Sequence, residues 1–265
     1  MKTRRRQYLW AVVLFAVLIA ALAAPVLAPY QPLEGDPYRQ FLSWRPDHWL
    51  GTDHLGRDVF SRVLWGARNS LFSALLATGL ASLIGIMIGG IAGGVGGLLD
   101  RVLMRGVDVL LAFPALLLAL ALVVIFGSGQ WQAALAVGSA LSLPLSRMVR
   151  ASVLAVRSEP YLESARAVGA GPIWIIARHI FPNIVDHVLS HLTVIFAWSL
   201  LNMAVLDFLG VTGSISTATW GRMIAEGRPF LRDAPSIALA PGFFLTLTVI
   251  VVTGIGDNWK KPFSR

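Results

Sequence analysis

Six apolar stretches dominate the chain, each approaching the roughly 20 residues needed to cross about 30 Å of hydrocarbon. They run Tyr8–Ala28, Ser70–Gly93, Val107–Phe126, Trp131–Leu145, Val188–Leu209 and Ile237–Gly256. The fourth is the shortest. The fold class that follows is all-α, a polytopic membrane protein with about six transmembrane helices. Composition agrees: 56% of the residues are hydrophobic and 14% are charged, against roughly 25% charged in a soluble domain. That leaves material for one membrane domain and little for a separate soluble one. The chain has no cysteine, which excludes disulfides, thiolate metal sites and cysteine nucleophiles.

The net charge of +8 raises the possibility of nucleic-acid binding. The cations lie between apolar runs, however, and not in one patch with interleaved aromatics, so no nucleic-acid partner is expected. Their distribution sets an orientation instead. With the N-terminus inside, inner segments hold fourteen of the 22 Lys and Arg residues: Lys2 and Arg4–Arg6, Arg101 and Arg105, five between Arg147 and Arg178, and Lys260, Lys261 and Arg265. This bias places both termini in the cytoplasm and makes 30–69 and 210–236 outer loops. Basic Lys2–Arg6 before an Ala-rich apolar run also fits a signal peptide. The run is about 20 residues, though, longer than the usual 7–15 of a signal core, which favours a retained span.

Glycines at 85, 89, 93 and 97 form a small-xxx-small ladder on one helical face. Such a face is a tight helix–helix seam or a pore lining. The segment Thr52–Asn69 reads as an amphipathic helix capped by Thr52 or Asp53. Leu55, Val59, Phe60, Val63, Leu64 and Ala67 share one face; Arg57, Asp58, Ser61, Arg62 and Arg68 share the other. Its expected place is the outer membrane interface, with the arginines reaching headgroups. Pro114 and Pro144 are expected to kink or end helices. Asp108 and Asp207 at span ends and the deeper Asn202 are either functional or structural, since polar groups in lipid are costly. His179, His187 and His191 share no metal-binding pattern, and no catalytic residue or metal site is expected.

The longest inner loop, Ser146–Asp186, is the most informative segment. Pro160 opens a short helix expected over Tyr161–Val168, with Glu163 near its positive end. Gly169 and Gly171-Pro172 stop it, and a second short helix, Ile173–Ile180, runs to Pro182. Two short helices joined by a glycine bend make a cytoplasmic knob suited to a groove on a soluble partner. In this loop the chain resembles the permease subunits of type I ABC importers, whose shared motif begins Glu-Ala-Ala with Gly six and Pro nineteen positions later. Glu163, Ala165, Gly169 and Pro182 meet that spacing, and Ser164 replaces the first Ala. Further pieces resemble the dipeptide, oligopeptide and nickel branch, and its C-type subunit. These are His48-Trp-Leu-Gly-Thr-Asp53-His-Leu-Gly-Arg57-Asp58, Asp108-Val-Leu-Leu-Ala-Phe113-Pro114, Arg178-His179-Ile-Phe-Pro182-Asn183, and Trp220-Gly221 with Ala225-Glu226-Gly227-Arg228.

The resemblance implies an inner-membrane permease for peptides, chelated nickel or another small solute. Its partners would be a homologous second permease, two cytoplasmic ATPase subunits, an extracytoplasmic solute-binding protein and membrane lipid. ATP and Mg would be held by the ATPases, consistent with the lack of a phosphate-binding G-x-x-x-x-G-K-[ST] loop in this chain. Glu163, Ser164, Ala165, Gly169, His179 and Pro182 would couple to the ATPases. Asn202, Met203 and Asp207 are candidates for the translocation path or gate; Met203 and Asp207 stand where the branch usually has Glu and Ser, which leaves the solute open. The expected organisation is 1–69 (first span, outer loop and interfacial helix), 70–257 (a five-helix core containing the 146–186 loop) and 258–265 (a cytoplasmic tail). A membrane-embedded enzyme is disfavoured by the absence of G-x-S-x-G and H-E-x-x-H. A secondary transporter would not require the Glu163–Gly169–Pro182 knob.

Overall fold

The computed structural model describes residues 2–167, 169–213 and 217–259. Among them the regular structure is helical, as a chain in lipid requires when each backbone polar group must be paired within its own segment. α1 (Lys2–Leu22) and the short α2 (Ala24–Leu27) lead into an irregular stretch with isolated bridges Gly35–Arg57, Arg45–His48 and Thr52–Asp58. α3 (Val59–Val95), α4 (Gly97–Leu111), α5 (Ala115–Phe126) and α6 (Gln130–Arg157) follow. The expected knob holds α7 (Pro160–Ala167) and α8 (Pro172–Ile175), and the chain ends in α9 (Phe181–Phe208), α10 (Trp220–Gly227) and α11 (Ser236–Trp259).

α3, Ile176–Phe208 and Ser236–Asp257 are each long and apolar enough to cross a membrane. α4 and α5 pass the same test only when taken together, bent by 95° at the break between them, and the apolar part of α1, Tyr8–Leu22, is shorter. α6 has the length but carries Gln130, Gln132, Arg147 and Arg150. These elements correspond in order to the six expected spans, with two corrections.

The first concerns Thr52–Asn69, which is not a separate amphipathic helix. Residues 52–58 form a turn in which Asp53 Oδ1 accepts from Leu55 N at 2.8 Å. Gly56 adopts a φ of 72°, and a Cβ there would stand 1.9 Å from Asp36 O. Asp58, not Thr52 or Asp53, caps the helix by accepting from Ser61 N at 2.7 Å. From Val59 the helix continues for 37 residues, about 55 Å, through the expected organisational boundary at 69/70.

The second concerns Val107–Phe126, which is not one helix. α4 and α5 meet at 95°. Pro114 cannot donate to the helical ladder and pushes Phe113 away from helical geometry, so Pro114 ends a helix as expected. Pro144 does not: α6 runs through it, as membrane helices allow when neighbours resupply what proline removes.

The glycine ladder is a seam. A Cβ at Gly85 would stand 2.9 Å from Leu145 Cγ, at Gly89 2.3 Å from Ser146 O, and at Gly93 2.8 Å from Val153 Cβ. Gly97 meets nothing within 4 Å. The seam keeps one register along its length, so α3 and α6 run parallel. Gly138 answers from α6, where a Cβ would stand 2.7 Å from Ala77 O. Close backbone approach gives the dispersion contact on which packing in lipid rests. Ala74, Ala77, Ala81, Ala133 and Ala136 are completely buried here, while Phe15, Leu83, Val124 and Trp198 are exposed on the outside.

Two distinct ends result. One gathers Gly93, Arg150, Arg157, the 160–183 segment, and Gly254 beside Trp10. The other gathers 30–67 with α10 and the start of α11.

Candidate functional site

The knob at the first end is built from its glycines and rings. Leu162 is completely buried and anchors α7 in the main core, while Glu163 one position on is exposed. α7 exits through Gly169 at a φ of 89°, with Ala170 N–H donating to Ala165 O at 3.1 Å. This is the bond pattern of a Schellman turn, and glycine takes the left-handed position without strain. The expected helix end at Val168 lies outside the described residues, as does the side chain of Ser164.

The second short helix differs from expectation. α8 passes into a π turn, Ile176–Ile180, which continues directly into α9. Phe181 N–H reaches back to Ile176 O, and the wider turn makes room just before Pro182, whose ring would crowd the carbonyl four residues earlier. Asn183 Nδ2 donates to His179 O at 2.6 Å, satisfying an acceptor near the proline. Pro182 therefore does not end a helix; it sits in the first turn of a long one.

Three rings brace the two arms. His179 lies 4.9 Å from Trp174, edge-on, and 5.8 Å from Tyr161 on α7; Asn183 Nδ2 also reaches Tyr161 OH at 3.2 Å. Between the arms Ala165, Gly169, Ala170, Gly171 and Trp174 line an open cup of about 510 Å³. Of the expected coupling residues, Ala165 and Gly169 line this cup and Glu163 is exposed on the same helix. His179 belongs to the brace behind it, and Pro182 is exposed on α9. Trp174, Tyr161 and Asn183 carry no expected role in the sequence, yet all three contact His179. Their signal was aromatic and amide side chains spaced through a polar loop.

The path candidates are packed inside the chain. Asn202 Nδ2 donates to Trp198 O of its own helix at 2.8 Å, and Met203 is 1% exposed in the main core. Asp207 is buried and held by the Thr219 and Thr212 side chains, tying the end of α9 to the cap of α10. Each of the three thus has packing contacts within this chain; a helical wheel cannot tell an inward polar face from a channel face.

The arginines expected at headgroups are also buried, apart from Arg68, which is exposed over the Trp65 ring at 5.5 Å. Arg57 Nε donates to Asp53 Oδ2 at 2.7 Å and its Nη2 to Glu226 Oε2 at 2.8 Å. Arg62 bridges the same carboxylates, and Arg222 Nε holds Glu226 Oε1 at 2.9 Å. Asp58, besides capping α3, meets His48 Nδ1 at 2.9 Å. Burial acts to raise the Glu226 carboxyl, but Arg62, Arg222 and Arg57 outweigh it and hold the pKa at about 2. Trp220, completely buried, donates Nε1–H to Val63 O at 3.1 Å beside this cluster. The second end is thus a charge-paired clamp joining 53–62 to α10.

Near the knob, α4 is clipped to α6. Arg150 forms two bonds with Asp100 at 2.5 and 2.6 Å, and Arg147 bonds Asp108 at 3.0 Å through Nε. Arg157 Nη1 donates to Gly93 O at 2.6 Å. Asp108 therefore has a structural partner.

Residues 85–262 match the family described as binding-protein-dependent transport system inner membrane component. Glutathione transport system permease protein GsiD of Escherichia coli O157:H7, and that of Shigella sonnei (strain Ss046), are each 38% identical over 262 residues, covering 97% of this chain and 86% of theirs. A Brucella suis biovar 1 (strain 1330) protein named as a peptide transport system permease is 38% identical over 258 residues, covering 97% of this chain and 87% of its own.

Proposed function

Because this chain belongs to the family of binding-protein-dependent transport system inner membrane components, we propose that it is a permease subunit of an ATP-driven importer for peptides or a related small solute. It forms one half of the translocation path, and a homologous second permease forms the other. Two cytoplasmic ATPase subunits hold ATP and Mg, and one of them docks on this knob. An extracytoplasmic solute-binding protein delivers cargo to the clamped end. Both termini lie on the ATPase side. The names of the relatives, glutathione and peptide permeases, favour a peptide-like cargo.

The observation that carries this reading is continuity. The cup is joined to α9 through an unbroken helical path from Pro172 to Phe208, and to α6 through the two residues Ser158 and Glu159. Displacement of the cup is passed to two long helices at once. A flexible loop would dissipate it. The ring brace of Tyr161, Trp174 and His179 makes the arms move together, and Gly169 fixes the angle between them.

The test is transport by Glu163→Ala and Gly169→Asp variants in the assembled transporter. Both are expected to lose at least about tenfold in rate while inserting normally. Wild-type rates in both would remove the coupling role from this loop.

A further inference from the structure

The segment 52–69 does not form the amphipathic interfacial helix expected of it, and its Arg57 and Arg62 are buried in the clamp. We infer that α4 is such a helix at the opposite end: α4 lies along the membrane surface, with Arg101 and Arg105 on phospholipid headgroups and its exposed apolar stripe in the acyl boundary.

Geometry supplies the first argument. α5 is apolar on every side and stands with the bundle, and α4 meets it at 95°. Asp100 and Asp108 are separated by about 12 Å along α4, yet they bind Arg150 and Arg147, only about 4.5 Å apart along α6. A helix parallel to α6 would spread its partners as widely as itself. α4 therefore crosses α6, at the level where Gly89 and Gly93 of α3 pack on Arg150. A glycine hinge at Gly96 and Gly97, both at positive φ, and the Pro114 break bound it.

Charge and exposure supply the second. Met104 and Val107 are buried against the core. On the far side Leu98, Val102 and Val109 share a stripe and are 69%, 60% and 60% exposed. Arg101 and Arg105 flank that stripe one turn apart; both are exposed, and neither forms a salt bridge with a described carboxylate. Cations bordering an apolar stripe on a helix at right angles to a span are what a headgroup boundary selects, since phosphates take the guanidinium groups while the acyl region takes the stripe. This end also carries the excess of Lys and Arg, the sign that membrane phosphates attract.

The lack of cysteine makes the test clean. Single cysteines at positions 98, 102 and 109 of α4, and 117 and 124 of α5, carry spin labels in the full chain assembled with its transporter in phosphatidylglycerol-containing nanodiscs. Depth is read from relaxation by oxygen against a water-soluble nickel chelate. All five positions are exposed, so labelling does not disturb packing. The three α4 labels are expected at one shallow depth, about 5–10 Å below the headgroups, while 117 and 124 differ by roughly 10 Å. Labels at 101 and 105 should be reached by nickel. A depth rising by roughly 16 Å from 98 to 109 would make α4 part of a crossing and overturn the inference. Shielding of the stripe from both reagents would assign it to a protein partner and overturn it equally. Neither readout depends on transport, so the coupling reading stands or falls separately.

Discussion

Gly169 and Glu226 show how much single residues decide. Gly169 has open space around it, with nothing within 4 Å of an added Cβ, so only its φ of 89° selects glycine. Gly169→Ala should destabilise the α7 exit by about 1 kcal/mol, a small loss that limited proteolysis of the loop would detect without loss of insertion. Glu226 is the keystone of the clamp. Its carboxyl is held at about 2 against 4.5, so its stabilisation is fully present above the unfolded pKa and lost as pH falls from about 4.5 through about 2. Thermal unfolding in detergent should therefore show wild type weakening across that window. Glu226→Gln should be less stable at neutral pH by on the order of 2 kcal/mol, below the roughly 3–5 kcal/mol of a fully buried pair because a fifth of the side chain remains exposed, and should lack that part of the acid response. Equal stability of the two proteins at pH 7 would contradict the clamp.

At the scale of elements, the seam between α3 and α6 holds the bundle. Gly89→Ala drives a Cβ to 2.3 Å from Ser146 O, whereas Gly90 faces open space. The first should cost about 1–3 kcal/mol and lower the yield of folded chain from membranes; Gly90→Ala should be silent. Comparable losses from both would mean that the seam is elsewhere. The apolar runs and the glycine spacing were legible in the sequence because hydrocarbon thickness and backbone approach leave direct marks on it. The break before Pro114 was legible as a permission. Its 95° angle was not, since it depends on where Arg147 and Arg150 hold α4. The fusion of α8 to α9 was hidden for a similar reason: proline usually ends a helix, and only the π turn at Ile176–Ile180 lets this one continue.

At the scale of the whole molecule, a close-packed helical bundle joins a charge-paired clamp at one end to a ring-braced cup at the other. The fold class and the position of the cup could be read from the chain. The burial of Arg57 and Arg62 could not, because their partner Glu226 lies 169 and 164 residues away, beyond the reach of any helical pattern. Asp207 is held by the Thr212 and Thr219 side chains across the end of α9, a contact that helical spacing alone does not reveal. The central claim is that the cup receives the ATPase, and cross-linking tests it most directly. A single cysteine at Ala165, in the cup, is treated with a short bifunctional reagent in the active assembled transporter, with Val124→Cys on α5 as the control. A covalent adduct with the ATPase subunit from position 165 and none from position 124 is the predicted result. An active transporter that yields no ATPase adduct from position 165 would contradict the account.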